Sequence, residues 1–176
     1  MALKADRHEV VTDISFFMNE TAERGVIVTH STAGSGAAMD DSNALVALPT
    51  TASGAVPAGM LLNDMVNLDL TRQHLNQHQD EVQKGSKVTL LKQGWVVTNK
   101  LDVNTKPTVG ARAYLASSGL LSTTNPVATL TGDPAVADTT GPDRTSKDEL
   151  NQLGLVGRFL STADADGYAK VYIDIA

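Results

Sequence analysis

The apolar residues of this chain come in short runs, three to six residues long, and each run is cut by Gly, Pro, Asn, Asp or a polar pair. An amphipathic helix needs apolar residues recurring at i, i+3, i+4 and i+7 over several turns, and no segment sustains that pattern. Short runs bounded by turn residues, with period two where any period exists, are strands. The pattern predicts a mainly β fold: a small β-barrel or β-tulip/sandwich of short antiparallel strands, with an extended N-terminal arm and long loops.

The pieces follow in order. Glu9 to Met18 alternates imperfectly and reads as an extended arm or first strand, and Val26-Ile27-Val28-Thr29 as a short buried strand. Ser31 to Ala38 is a loop of small residues. Ala44 to Leu48, Met60 to Leu62 and Met65 to Leu70 are strand-like, with a turn expected through Pro57 and Gly59. Thr71 to Lys84 is polar, with helical leanings but few apolar positions. Lys87 to Lys92 and Trp95 to Thr98 are expected to form a tight hairpin on Gln93-Gly94, the glycine supplying positive φ. A second hairpin is expected around Ser117-Ser118-Gly119. Thr123 to Lys147, rich in Pro and Gly, reads as a long loop of the kind that contacts a neighbour. Leu153 to Ser161 forms a further strand, followed by a turn at Ala163 to Gly167. The chain closes on a strand with Ala169, Val171, Ile173 and Ile175 on one face. The division predicted is residues 1–30 as N-terminal arm and first strand, and residues 31–176 as a single β-rich domain.

Chemistry is sparse. With no cysteine among 176 residues, disulfides and thiolate metal sites are excluded. A net charge of −6 and scattered Lys and Arg oppose binding to a phosphate backbone, so no nucleic-acid partner is expected. The charged start Met1 to His8 leads into no long apolar stretch, so neither a signal peptide nor a membrane partner is expected. His74 and His78, followed by Asp80, have the spacing of a helical zinc pair but lack the adjacent Glu of hydrolytic sites. Asp164-x-Asp166-Gly167 starts like a calcium loop, yet Gly is fourth and position twelve is Ile175, which leaves an Asp-Gly turn. Gly34-Ser35-Gly36 lacks the Lys of a phosphate loop. Asn19-Glu20-Thr21 fits a glycosylation sequon and otherwise reads as a capped turn. The sequence therefore assigns no catalytic, cofactor-binding or metal residue, and no cofactor.

Several segments in order resemble the head decoration, or cement, proteins of tailed bacteriophages: Pro57 to Val66, Gly85-Ser86-Lys87-Val88 with Gly94-Trp95-Val96, Val156 to Leu160, and Gly167 to Ile173. The resemblance implies a β-barrel or β-tulip module on the capsid exterior, made in the host cytoplasm. Its implied partners are the major capsid protein and further copies of itself, a trimer favoured over a dimer. Such a protein stabilises the shell by non-covalent contacts and is not an enzyme. The alternatives are a tail or baseplate component, or a carbohydrate-binding or hydrolytic β domain, against which the 4% aromatic content counts.

The expected interface is the N-terminal segment, where Val10, Val11, Ile14, Phe16, Phe17 and Met18 concentrate apolar area between polar flanks. Its loss is expected to weaken association more than folding of residues 44–176. For the chain as a whole, the far-UV circular dichroism spectrum should be dominated by strand and irregular signal. A helix content above about one third, the level of an ordinary soluble protein, would contradict the fold class.

Overall fold

The computed structural model describes residues 2–4, 6–31, 44–64, 80–126 and 154–175. It is mainly β. The strands are β1 (His8–Met18), β2 (Ala22–Glu23), β3 (Ile27–His30), β4 (Leu45–Ala47), β5 (Pro57–Asp64), β6 (Glu81–Val82), β7 (Lys87–Thr98), β8 (Arg112–Leu115), β9 (Leu121–Ser122), β10 (Leu155–Phe159) and β11 (Ala169–Asp174). Among the described residues the helical content is one 3-10 turn, Ser117–Gly119. The expectations for Met65 to Leu70, for most of Thr71 to Lys84, for the small-residue loop beyond Ser31, and for most of Thr123 to Lys147 lie outside the described residues.

Nine strands form one sheet in the order β1-β4-β3-β5-β7-β11-β10-β8-β9, and a further pairing of β1 with β7 closes the first five into a ring. Within that ring β1 runs parallel to β4, and the other pairings are antiparallel. The remaining strands extend from β7 through the antiparallel pairs β7–β11, β11–β10, β10–β8 and β8–β9. β2 and β6 pair separately.

Three strands, β3, β5 and β7, are buried on both faces. One cluster, inside the ring, joins Met18, Val28, Val46, Ala58, Leu61, Val88 and Leu90, with Ala22 and Val82 from the β2–β6 pair. The other joins Ile27, Met60, Leu62, Leu91 and Val96 to Ala113, Leu115, Leu121, Val156, Phe159, Val171 and Ile173. Neighbouring residues therefore serve opposite cores: Ile27 and Val28, Leu61 and Leu62, Leu90 and Leu91. This two-sided burial explains why those runs are continuously apolar and do not alternate. β11 alternates because one face is covered, with Ala169, Val171, Ile173 and Ile175 inward.

The Gln93-Gly94 hairpin does not exist; β7 runs unbroken from Lys87 to Thr98. Gly94 serves a close approach instead of a turn, since a Cβ there would lie 2.2 Å from the His8 carbonyl oxygen on β1. Likewise Pro57 and Gly59 lie within β5, and the turn precedes them, at Ser53–Gly54. The hairpin around Ser117–Gly119 is present, joining β8 to β9.

The N-terminal segment is docked on its own chain. Ala2 and Leu3 are buried, and the Thr98 hydroxyl lies 3.2 Å from the carbonyls of both Ala2 and Gly25 while accepting from Lys100 N at 3.1 Å. β1 then closes the ring and ends on Met18, which is fully buried. Removing the whole segment would open the ring, so surface substitutions isolate its contact role more cleanly.

Gly94→Ala should lower the thermal unfolding midpoint more than Gly167→Ala. At Gly167, φ is +81° and a Cβ would meet nothing within 4 Å, so that variant should cost only about 1–2 kcal/mol of conformational strain. Equal losses would mean that the β1–β7 crossing tolerates a side chain.

Candidate functional site

Of the seven large exposed hydrophobic residues among those described, three share one strand, β1, and the others, Val56, Val103, Val109 and Leu160, are dispersed. Val10, Val11 and Ile14 are 55%, 46% and 48% exposed. Phe16 and Phe17 are half-buried, and Met18 lies in the ring core. Successive residues of a regular strand face opposite sides, so Val10 and Val11 should not both be open. They are: His8 to Thr12 are exposed on both faces, and the β1–β7 register shifts between Glu9 and Val11, again between Val11 and Thr12, and a third time between Asp13 and Phe16. Such bulges re-aim side chains.

The third bulge is held locally. The Asp13 carboxylate accepts the Ser15 amide at 2.8 Å and the Ser15 hydroxyl at 2.5 Å, just where Ile14 turns out to solvent. Beside it Phe16 meets the His30 ring edge-on at 5.3 Å, and Lys92 Nζ lies 5.7 Å from the Phe16 centroid. Lys87 Nζ lies 5.6 Å from the centroid of Phe17. The aromatic rings are thus capped by the chain's own cations, while Val10, Val11 and Ile14 stay open.

Burial pushes the Asp13 pKa up, but the two Ser15 hydrogen bonds, helped by Lys92 and His30, outweigh it and hold the group below its ordinary value. Burial lowers the His30 pKa, the Lys92 charge adds to this, and the Asp13 charge opposes it.

The other candidates fall elsewhere. His74, His78 and Gly34 to Gly36 lie outside the described residues. Asp80 accepts from Arg24 Nε at 2.8 Å, an ion pair at the end of the β2–β6 strands. Asp164 is spent on its own turn: its carboxylate accepts the amides of Asp166 at 3.0 Å and Tyr168 at 2.8 Å, and Lys4 Nζ at 3.0 Å. Glu20, within the sequon, accepts the Leu48 amide at 2.6 Å. Among the described residues no three His, Asp or Glu side chains group as a metal set would. A cleft of about 330 Å³ is lined mainly by small residues, among them Thr51, Ser53, Ser117, Ser122 and Thr124, with Asp102 as its one charged group.

Comparison with known proteins supplies what the geometry of this surface does not. The chain matches the family described as structural cement protein (E217 gp24/Pam3 gp6) over residues 5–174. It belongs to that phage cement family. Comparison with curated proteins finds no match. The match takes in the first strand as well as the last, so all eleven described strands of this cement protein form part of the family unit. A cement protein has a structural role in the phage capsid, which its surface must serve by contact.

Both shifted groups on this surface are depressed in the folded state, so each contributes stability that is complete above its unfolded pKa and is lost as pH falls through its folded one. Stability should therefore decline first as pH drops below 6.5, the ordinary value of His30, and again below 3.8, that of Asp13. His30→Gln should remove the first decline and Asp13→Asn the second, read from unfolding midpoints across pH. Unchanged profiles would place the titration elsewhere.

Proposed function

We propose that this protein binds the outer surface of a phage capsid as a small homo-oligomer, a trimer in preference to a dimer, and stabilises the shell without catalysing a reaction. Its partner is the major capsid protein, and its place is the virion exterior. Residues 1–30 supply the contact strand, and the rest of the chain holds it in position.

The observation that carries this reading is the apolar stripe Val10, Val11 and Ile14 on β1 of a chain from a structural capsid family. A ligand that binds the assembled shell and not its dissociated subunits stabilises the shell by mass action. No titratable cluster or cofactor is required for that. Fully burying a large apolar side chain contributes roughly 1.5–3 kcal/mol, so covering the exposed half of each of these three would contribute about 2–4 kcal/mol in all.

The test is addition of purified protein to undecorated shells. Wild type should saturate them and raise their disruption temperature with concentration. The variant Val10→Thr, Val11→Thr, Ile14→Thr keeps β-branched side chains and so should keep its fold. It should bind roughly 30- to 1000-fold more weakly, as 1.4 kcal/mol is a factor of ten. A variant that decorates as tightly as wild type would remove β1 from the contact; wild type that leaves shells bare would remove the function.

A further inference from the structure

The outward face of the open half of the sheet carries a line of side chains that the β1 stripe does not explain. Register sets His8 opposite Trp95, Trp95 opposite Tyr172, Tyr172 opposite Arg158, and Arg158 opposite Arg112, one residue from each of β1, β7, β11, β10 and β8. These residues lie far apart in sequence and meet only because the five strands are neighbours.

One end of the line is closed. Lys170 Nζ lies 3.4 Å from the Trp95 ring centroid, and the His8 ring lies 6.4 Å from Trp95. The indole face is thus occupied by the chain's own cation.

The other end is open. Arg112 and Arg158 are exposed, and neither has an ion-pair or hydrogen-bond partner among the described residues. Like charges directly opposite on a sheet destabilise it. The chain has 20 Asp and Glu against 14 Lys and Arg, yet among the described residues no carboxylate forms an ion pair with either arginine. Next to Arg158 lies a cleft of about 300 Å³ formed with Leu155, Gly157, Leu160, Tyr172 and Asp174. Its floor is apolar, with Leu160 40% exposed. Asp174 accepts from Gln93 Nε2 at 3.4 Å.

We propose that this face docks a carboxylate-bearing segment of the shell protein, the acidic side chains bound by Arg112 and Arg158 and the aliphatic stems lying on Leu155, Leu160 and Tyr172. Guanidinium groups pair with carboxylates through two parallel hydrogen bonds, which suits an exposed, unpartnered arginine pair. Asp174 repels a carboxylate on its own side, so it sets the segment's direction. A nucleic acid is disfavoured, because two arginines offer few phosphate contacts on a chain of net charge −6. The inference names a second contact within the capsid-binding reading and rests on it for the identity of the partner.

Two measurements test it. Titration of the full-length protein with a glutamate-rich peptide, followed by NMR, should move the Arg112 and Arg158 side-chain signals together with Tyr172. Arg112→Gln and Arg158→Gln should each weaken that binding roughly tenfold, while Lys106→Gln on the exposed 99–111 loop leaves it unchanged. On undecorated shells the double arginine variant should bind more weakly than wild type and lose part of its salt dependence. Peptide binding that survives the double substitution, tighter binding of duplex DNA than of the peptide, or a change of oligomeric mass in the double variant would each overturn the assignment, the last by giving the face to a second copy. If wild type binds the peptide through these arginines but not the shells, the capsid reading fails and the partner falls with it. If it binds the shells and the double variant does so equally well, only this second contact fails.

Discussion

Strand β7 must satisfy three neighbours at once. Along Val88 to Leu91 it pairs with β5 on one edge and with β1 on the other; along Gln93 to Thr98 the first edge passes to β11 while β1 still follows as far as Trp95. A strand has only two edges of hydrogen-bonding groups, so β5 and β11 must share one of them end to end. That hand-over is what joins a closed ring to an open four-strand extension. It falls where β1 crosses so closely that the residue beneath His8 can carry no side chain. With β7 in place, β3 and β5 are covered on both faces, one core packed against each.

The same strand pairing shapes the exposed apolar surface of β1. β1 does not stay in regular register with β7, and Val10, Val11 and Ile14 lie open along the slipped stretch. Bulges normally lose ladder hydrogen bonds. Here the Asp13 carboxylate recovers part of that loss by capping Ser15, and the flanking aromatic rings are shielded by lysines. What remains open is aliphatic. Charge is handled in the same local way, with Arg24 on Asp80, Lys100 on Glu23 and Lys4 on Asp164. Exposed pairs of this kind contribute little to stability. Among the described residues the arginines of β8 and β10 have no such partner.

Glycine illustrates how one residue type carries two messages. Gly94 and Gly119 both sit between apolar runs and both satisfy the composition of a tight turn. At Ser117–Gly119 the chain reverses and β8 meets β9. At Gly94 the chain goes straight on, and the missing Cβ makes room for another strand. Local sequence does not separate these cases, because the atom that demands glycine, the His8 carbonyl, belongs to a segment more than eighty positions away. Pro57 and Gly59 mislead in the same manner, breaking a pattern on paper while β5 passes through them.

The sequence by itself determined the class of structure, the position of most strands, the inward face of β11, the Asp-Gly turn before it, and the apolar character of residues 10–18. These follow from period, from turn chemistry and from the absence of cysteine, all of which act over a few neighbouring residues. Only the tertiary structure decided which of those apolar residues are open: Val10, Val11 and Ile14 outside, Met18 within. It alone also set Arg112 opposite Arg158. Exposure and cross-strand neighbours depend on register, and register between strands distant in the chain is settled by packing, where a slip of one residue exchanges inside for outside.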